Sequence, residues 1–289
     1  MARRFPDAQS AITALGPIHP SVMPLFEQPK FVQKSLEWLA ARHNFITASA
    51  ADVINGRFPW QSARDLFWEK VNPFVPRLFS NPHMQRGVDN EDRVVRLYEE
   101  RTGYKVMEFG MLVHHELFAA LGPPFTAQEW MTAIVQGDTT VVPAALHQRL
   151  GFFAGSPDGI TTCGRLLEVK CPRVIKPVVE PYYYAQCQLN MEVMNLDVCD
   201  LVKYSVDDDE LWMTTFTRDR SWFAQWQPVA ARFWQQVLAA RADPTAIPPE
   251  YVLPSRKRGA DDDDDSDGDV KRSVDEAKVL QFAAQPFNE

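Results

Sequence analysis

Four common features are missing from this 289-residue chain, and each absence bears on a class of function. No stretch approaches the ~18 consecutive apolar residues of a helical membrane span, so no membrane role is expected. The opening residues MARRFPDAQSAITALGPIHP carry Arg3 and Arg4 but no apolar core of a secretory signal. Cys163, Cys171, Cys187 and Cys199 include no C-x-x-C pair, which removes zinc-ribbon spacing. Reduced thiols in an intracellular protein, nuclear or cytoplasmic, are the expectation. A basic excess is missing too, since the formal net charge is −8. From Ser255 onward six basic residues face ten acidic ones, which leaves −4 for the body. An acidic body does not attract nucleic acid through its bulk field. It still admits such a partner through a local basic groove and a divalent cation that offsets an acidic cluster.

At 45% apolar the chain can bury one sizeable core. Residues 1–28 hold four prolines without sustained periodicity and read as an irregular extension. A folded domain is expected over 29–246. Beyond it come Pro248-Pro249 and SRKRGADDDDDSDGDVKRS, where adjacent aspartates repel each other and little apolar surface offsets ordering entropy. Residues 247–289 therefore read as a disordered charged tail. Arg256-Lys257-Arg258 and Lys271-Arg272 form a nuclear-import-like pattern. The same tail reads equally as a solvated spacer leading to the apolar end Val279-Leu280-Gln281-Phe282.

The most informative stretch is SPDGITTCGRLLEVKCP, Ser156 to Pro172. Pro157 and Gly159 give Asp158 turn chemistry, and a hairpin would fold it back beside Glu168. Alternate side chains of a strand share a face, so Glu168 and Lys170 point one way while Leu167 and Val169 point into a core. Two carboxylates and an ammonium gathered this way make a hard-cation site for Mg²⁺, with Mn²⁺ as a substitute, that keeps open positions for water and phosphate. Lone Asp, Glu and Lys are mostly solvated charges, but Leu166, Leu167 and Val169 mark a buried strand, where an unpaired acid is costly.

Elsewhere, Phe31, Leu36, Leu39 and Ala40 suggest a helix leading to Arg42, and Thr47 or Ser49 suits the start of the next one. Asp89 or Asn90 can cap a helix to about Arg101, stopped by Gly103. On it Glu91, Val94, Val95 and Tyr98 share one face, which singles out Glu91, although a first-turn glutamate is also favoured by the helix dipole. Met111 to Leu150 reads as an insertion; its His114-His115 pair lacks a further ligand at regular spacing and reads as ordinary core or surface histidine. Pro181 suits the first turn of a helix to about Asn195, with Gln186, Leu189, Asn190 and Val193 on one face. Strands follow at Val198–Ser205 and Leu211–Phe216, then an aromatic-rich helix from about Asp219 to Arg241.

Pro157-Asp158 and Glu168-Val169-Lys170 stand as the core motif of the PD-(D/E)XK nucleases does. Arg42-His43-Asn44-Phe45-Ile46-Thr47-Ala48-Ser49 is similar to an R-x4-TAS stretch, Gly87 with Glu91 to a G-x3-E helix, and Tyr183 to Gln188 to a Y-x-x-Q-x-Q helix. Together, in family order along the chain and over roughly residues 31–240, they resemble the phage lambda exonuclease / YqaJ viral recombinase family. The resemblance implies an α/β fold with a restriction-endonuclease-like core, a central mixed sheet flanked by helices. It implies Mg²⁺-dependent 5′–3′ resection of linear double-stranded DNA for recombination, repair or viral DNA processing. Asp158, Glu168 and the Val169 carbonyl would hold metal, with Glu91 beside a second metal or water. Lys170 would act on the nucleophile and Gln186 on the scissile phosphate or water; Arg42 and Ser49 would bind DNA phosphate. Where the family places an arginine for the 5′-phosphate, this chain offers Arg173 and Lys176, and the spacing favours Lys176. The implied partners are double-stranded DNA ends, a single-strand annealing protein and further copies of the chain, by resemblance in a trimer. Two other readings stay open: an endonuclease or structure-specific repair nuclease on the same fold, and a non-catalytic DNA-binding protein.

Overall fold

The computed structural model describes residues 3–29, 31, 33, 35–75, 82–121, 129, 132, 133, 149, 150 and 152–252. Gly122-Pro123-Pro124, Val141 to Ala145 and everything from residue 253 lie outside them. The helices are α1 (Ala8–Leu15), α2 (Leu36–His43), α3 (Ala51–Ile54), α4 (Ala63–Val71), α5 (Pro82–Thr102), α6 (His115–Leu121), α7 (Pro181–Met194) and α8 (Arg220–Ala242). The strands are β1 (Ile46–Thr47), β2 (Val106–Met107), β3 (Leu112–Val113), β4 (Phe153–Gly155), β5 (Gly159–Thr161), β6 (Arg165–Lys170), β7 (Val198–Ser205) and β8 (Glu210–Thr217).

The main sheet runs β2-β5-β6-β7-β8, parallel only between β6 and β7, and a small sheet runs β1-β4-β3. This is the mixed sheet flanked by helices that the sequence led us to expect. The pleat sends alternate residues of β6 and β7 to opposite faces. Leu166, Cys199 and Leu201 join the large core with Leu189 and Val193 of α7, whereas Leu167, Val169, Val202 and Tyr204 pack with Val94, Val95 and Tyr98 of α5. β6 is therefore buried on both sides, and each of its polar side chains needs partners there.

Several boundaries depart from expectation. Residues 1–28 are not irregular: α1 and a 3₁₀ turn at Pro20–Glu27 place Ala11, Val22, Leu25 and Phe26 in the large core. Their apolar residues are spaced too unevenly to show a period, and burial comes from tertiary contacts. α5 starts upstream of Asp89 and Asn90, whose side chains pair within the helix with Gln85 Nε2 (2.7 Å) and the Arg86 carbonyl (2.8 Å) instead of capping it. Neither Thr47 nor Ser49 caps a helix; a 3₁₀ turn at Ala48–Ala50 precedes α3. Packing also continues past 246, because Tyr251 stacks on Phe67 at 4.2 Å and its carbonyl accepts from Trp68 Nε1 at 2.9 Å.

Candidate active site

The β5–β6 hairpin pairs Gly159 with Leu167 and so sets Asp158 opposite Glu168. Gly159 has to be glycine, since a Cβ there would run into Val106 Cγ1 of β2. Asp158 Oδ2 accepts from the Val169 amide at 2.7 Å. Glu168, only 1% exposed, is held by three donors. Lys170 Nζ and Gln186 Nε2 reach its Oε1, each at 2.6 Å, and Asn190 Nδ2 reaches Oε2 at 3.1 Å. Lys170 Nζ also donates to Gln186 Oε1 at 3.2 Å. The set depends on α7, where Pro181 opens the helix, Asn195 closes it in the left-handed conformation (φ 54°), and Gln186 and Asn190 lie one turn apart facing β6.

Asn190 is a site residue to which sequence reasoning assigned no role. The signal was its position one turn after Gln186. Its Oδ1 is buried without a hydrogen bond and abuts Gly155, where an added Cβ would collide with it.

Burial pushes the Glu168 carboxyl up to about 7; the Lys170 charge pulls it down and the Asp158 charge adds to the rise. Burial also works against the Lys170 ammonium, but the charges of Glu168 and Asp158 outweigh it and raise its pKa. Lys170 is therefore a fixed cation in this arrangement rather than a base. The two acids, aligned by the hairpin and repelling each other, form a hard oxygen-donor pair that suits a divalent cation. Among the described residues no group of three or more His, Cys, Asp or Glu is gathered for a metal. Glu91 is half-buried on α5, and its charge helps raise the thiol of Cys171 behind the larger effects of burial and Asp158.

The R-x4-TAS stretch comes to the same place through β1, which lies parallel to β4 with Thr47 beside Ala154, just ahead of the Ser156-Pro157-Asp158 turn. The hydroxyls of Thr47 and Ser49 lie 3.3 Å apart, and Arg42 Nη2 donates to Ser49 Oγ at 3.3 Å. Trp38 stacks under the Arg42 guanidinium at 4.5 Å and donates through Nε1 to Ser156 Oγ at 3.1 Å. Arg42 is fixed from behind by cations on the last carbonyls of α2: Lys70 Nζ on Arg42 O (2.7 Å) and Arg241 Nη2 on His43 O (3.0 Å). Burial pushes Lys70 down to about 8 and His43 to about 4, with Arg241 among the charges lowering both.

Arg173 and Lys176 are exposed on the loop after β6. That loop is tied to β7 by Ser205 Oγ on the Arg173 carbonyl (2.8 Å), and by Lys203 Nζ on Lys176 O (3.0 Å), Val178 O (2.6 Å) and Glu180 Oε2 (2.5 Å). The three tyrosines of α7 separate: Tyr184 bonds to Asp219 at 3.4 Å, Tyr183 lies against Lys170, and Tyr182 joins Phe58 and Trp60. His114 is fully buried and His115 half-buried.

Comparison with known proteins places this geometry. The family model for the YqaJ-like viral recombinase domain matches residues 37–197. An uncharacterized protein of Acanthamoeba polyphaga mimivirus is 26% identical over an alignment of 204 residues that covers 64% of this chain and 31% of that protein. The chain thus spans about a third of the length of this curated relative. Two crystal structures share the fold. The alkaline exonuclease LHK-Exo of Laribacter hongkongensis matches with a TM-score of 0.54 at 22% identity, over 73% of this chain and 96% of that one. LHK-Exo in complex with dAMP matches with a TM-score of 0.53 at 23% identity, over 72% and 95%. The fold is the one seen in LHK-Exo.

Proposed function

The chain belongs to the family of YqaJ-like viral recombinase domains, and on that premise we propose that it is a divalent-metal-dependent DNA exonuclease, resecting linear double-stranded DNA from 5′ to 3′. The observation that carries this reading is the convergence of Asp158, Glu168, Lys170 and Gln186 on one end of β6. A protein that only binds DNA has no use for an ammonium and an amide locked onto a buried carboxylate.

Asp158, Glu168 and the Val169 carbonyl would hold the cation, Mg²⁺ by the hardness of the donors. When bound, such a cation acidifies a coordinated water and offsets charge on the phosphate. Lys170 supplies a fixed positive charge where the attacked phosphate gains negative charge, and Gln186 orients the nucleophile or the phosphate. Glu91 would hold a second cation or water near Asp158, since the charges of both act on Cys171. Arg42 and Ser49 grip a neighbouring phosphate on the Trp38–Ser156 side. Arg173 and Lys176 both bind DNA phosphate, and of the two Lys176 meets the 5′ end; a lysine there is a point charge without the guanidinium fork, which favours a weaker 5′-phosphate preference. The partners we assign are double-stranded DNA ends, an annealing protein that accepts the 3′ overhang, and further copies of the chain.

A linear duplex labelled at one end, compared with a closed circular duplex, tests the reading. An exonuclease of this polarity releases a 5′ label first and leaves the circle intact. Rapid nicking of the circle, or earlier loss of a 3′ label, assigns the site to an endonuclease or to the opposite polarity.

A further inference from the structure

Trp60, in the loop between α3 and α4, is 71% exposed. Its indole adjoins the rings of Phe58 and Tyr182, and a contiguous aromatic patch of this kind, unlike a single exposed ring, marks a binding surface. Trp60 is held in place: its ring centroid lies 5.2 Å from Phe58 and 5.4 Å from Tyr182, both edge to face. Phe58 and Tyr182 meet each other at 5.6 Å, so the three rings brace one another. Tyr182 contacts Tyr183 at 4.5 Å, and Lys170 Nζ lies 5.1 Å from the Tyr183 centroid. A continuous aromatic path therefore runs from solvent to the ammonium of the candidate active site.

We propose that Phe58, Trp60 and Tyr182 form a stacking platform for an unpaired base of the DNA strand whose phosphate is at Lys170. The inference rests on the nuclease reading and adds to it a way of holding the nucleotide beside the reacting one. Its continuity with Lys170 favours a base over a protein partner, because the outermost ring is joined to the site by successive ring contacts. Stacking accepts any base, which suits a nuclease without sequence preference, and each stacked base contributes roughly 5- to 100-fold in affinity.

The test uses the full chain in Ca²⁺, where binding is read without turnover, and a short fluorescein-labelled single-stranded oligodeoxynucleotide alongside its abasic counterpart. Trp60→Ala should weaken binding of the base-bearing strand by about 10-fold, leave the abasic strand unchanged, and be rescued by Trp60→Phe to within about 3-fold. Equal loss on both strands, or no loss on either, overturns the platform. So does unchanged oligonucleotide affinity with an altered sedimentation coefficient, which would make Trp60 a contact between protein copies. Should Trp60→Ala fail to fold, Trp60→Leu against Trp60→Phe carries the same comparison. If wild type cuts linear duplex while the Trp60 variants bind as wild type does, only the platform falls. If wild type does not cut but base-dependent binding is lost on substitution, only the nuclease reading falls.

Discussion

Asp158 accepts the backbone amide of Val169 at 2.7 Å, so the turn that carries one acid is bonded to the strand that carries the other. This bond locks the two carboxylates in register and makes the hairpin a rigid base for the site. A one-residue slip of β6 would send Glu168 to the α5 face and replace it with Leu167 or Val169.

A buried contact behind Glu168 gives the first prediction. Gly155→Ala places a methyl group against Asn190 Oδ1, forcing the amide away from Glu168. Turnover should drop about 5- to 10-fold from loss of that hydrogen bond, and stability by about 1–3 kcal/mol from overpacking. Asn190→Ala should cost similar turnover. In the double variant the overpacking should vanish, so that thermal melting shows positive coupling between the two sites.

Lys70 gives a pH dependence. It is 2% exposed, and burial pushes it down to about 8 from 10.5; Glu69 opposes the shift, while Arg42 and Arg241 add to it. Below pH 8 the folded state must keep this ammonium charged at full cost. Between pH 8 and 10.5 the unfolded chain holds more protons than the folded one, so this group makes stability rise with pH over that window. Its share amounts to roughly 3 kcal/mol. Denaturant melts of wild type and Lys70→Met from pH 7 to 10.5 should show the extra rise in wild type alone. Parallel curves would contradict the assignment.

Lys176 should govern end recognition. Lys176→Ala is expected to lower the preference for 5′-phosphorylated over 5′-hydroxyl duplex ends by about 5-fold, and Lys176→Arg to raise it, because a guanidinium binds phosphate through two donors. Arg173→Ala should leave the ratio unchanged. Competition kinetics on the two substrates decides between them.

How much could be read from sequence differs from element to element. The hairpin and β6 were legible because turn chemistry at Pro157-Asp158-Gly159 meets an apolar strand interrupted by Glu168. α7 was legible from Pro181 and the shared face of Gln186 and Asn190. The N-terminal layer was hidden, since Ala11, Val22, Leu25 and Phe26 become core only through tertiary contacts. The Arg42–Trp38–Ser156 link was hidden for a related reason: it joins residues far apart in sequence through the β1–β4 pairing. Glu91 was visible as an acid on an apolar helix face, but no periodicity shows that its charge will act on Cys171 together with that of Asp158.

The central claim, hydrolysis at the Asp158–Glu168–Lys170 set, is tested most directly by cleavage of end-labelled linear duplex in Mg²⁺. Wild type is compared with Asp158→Ala, Glu168→Ala and Lys170→Ala at matched melting temperature, and wild type is assayed again with EDTA. The account predicts steady release of label by wild type, none in EDTA, and losses of at least about 100-fold in each variant. Turnover near the wild-type rate in any one of the three folded variants, or undiminished cleavage in EDTA, would contradict it.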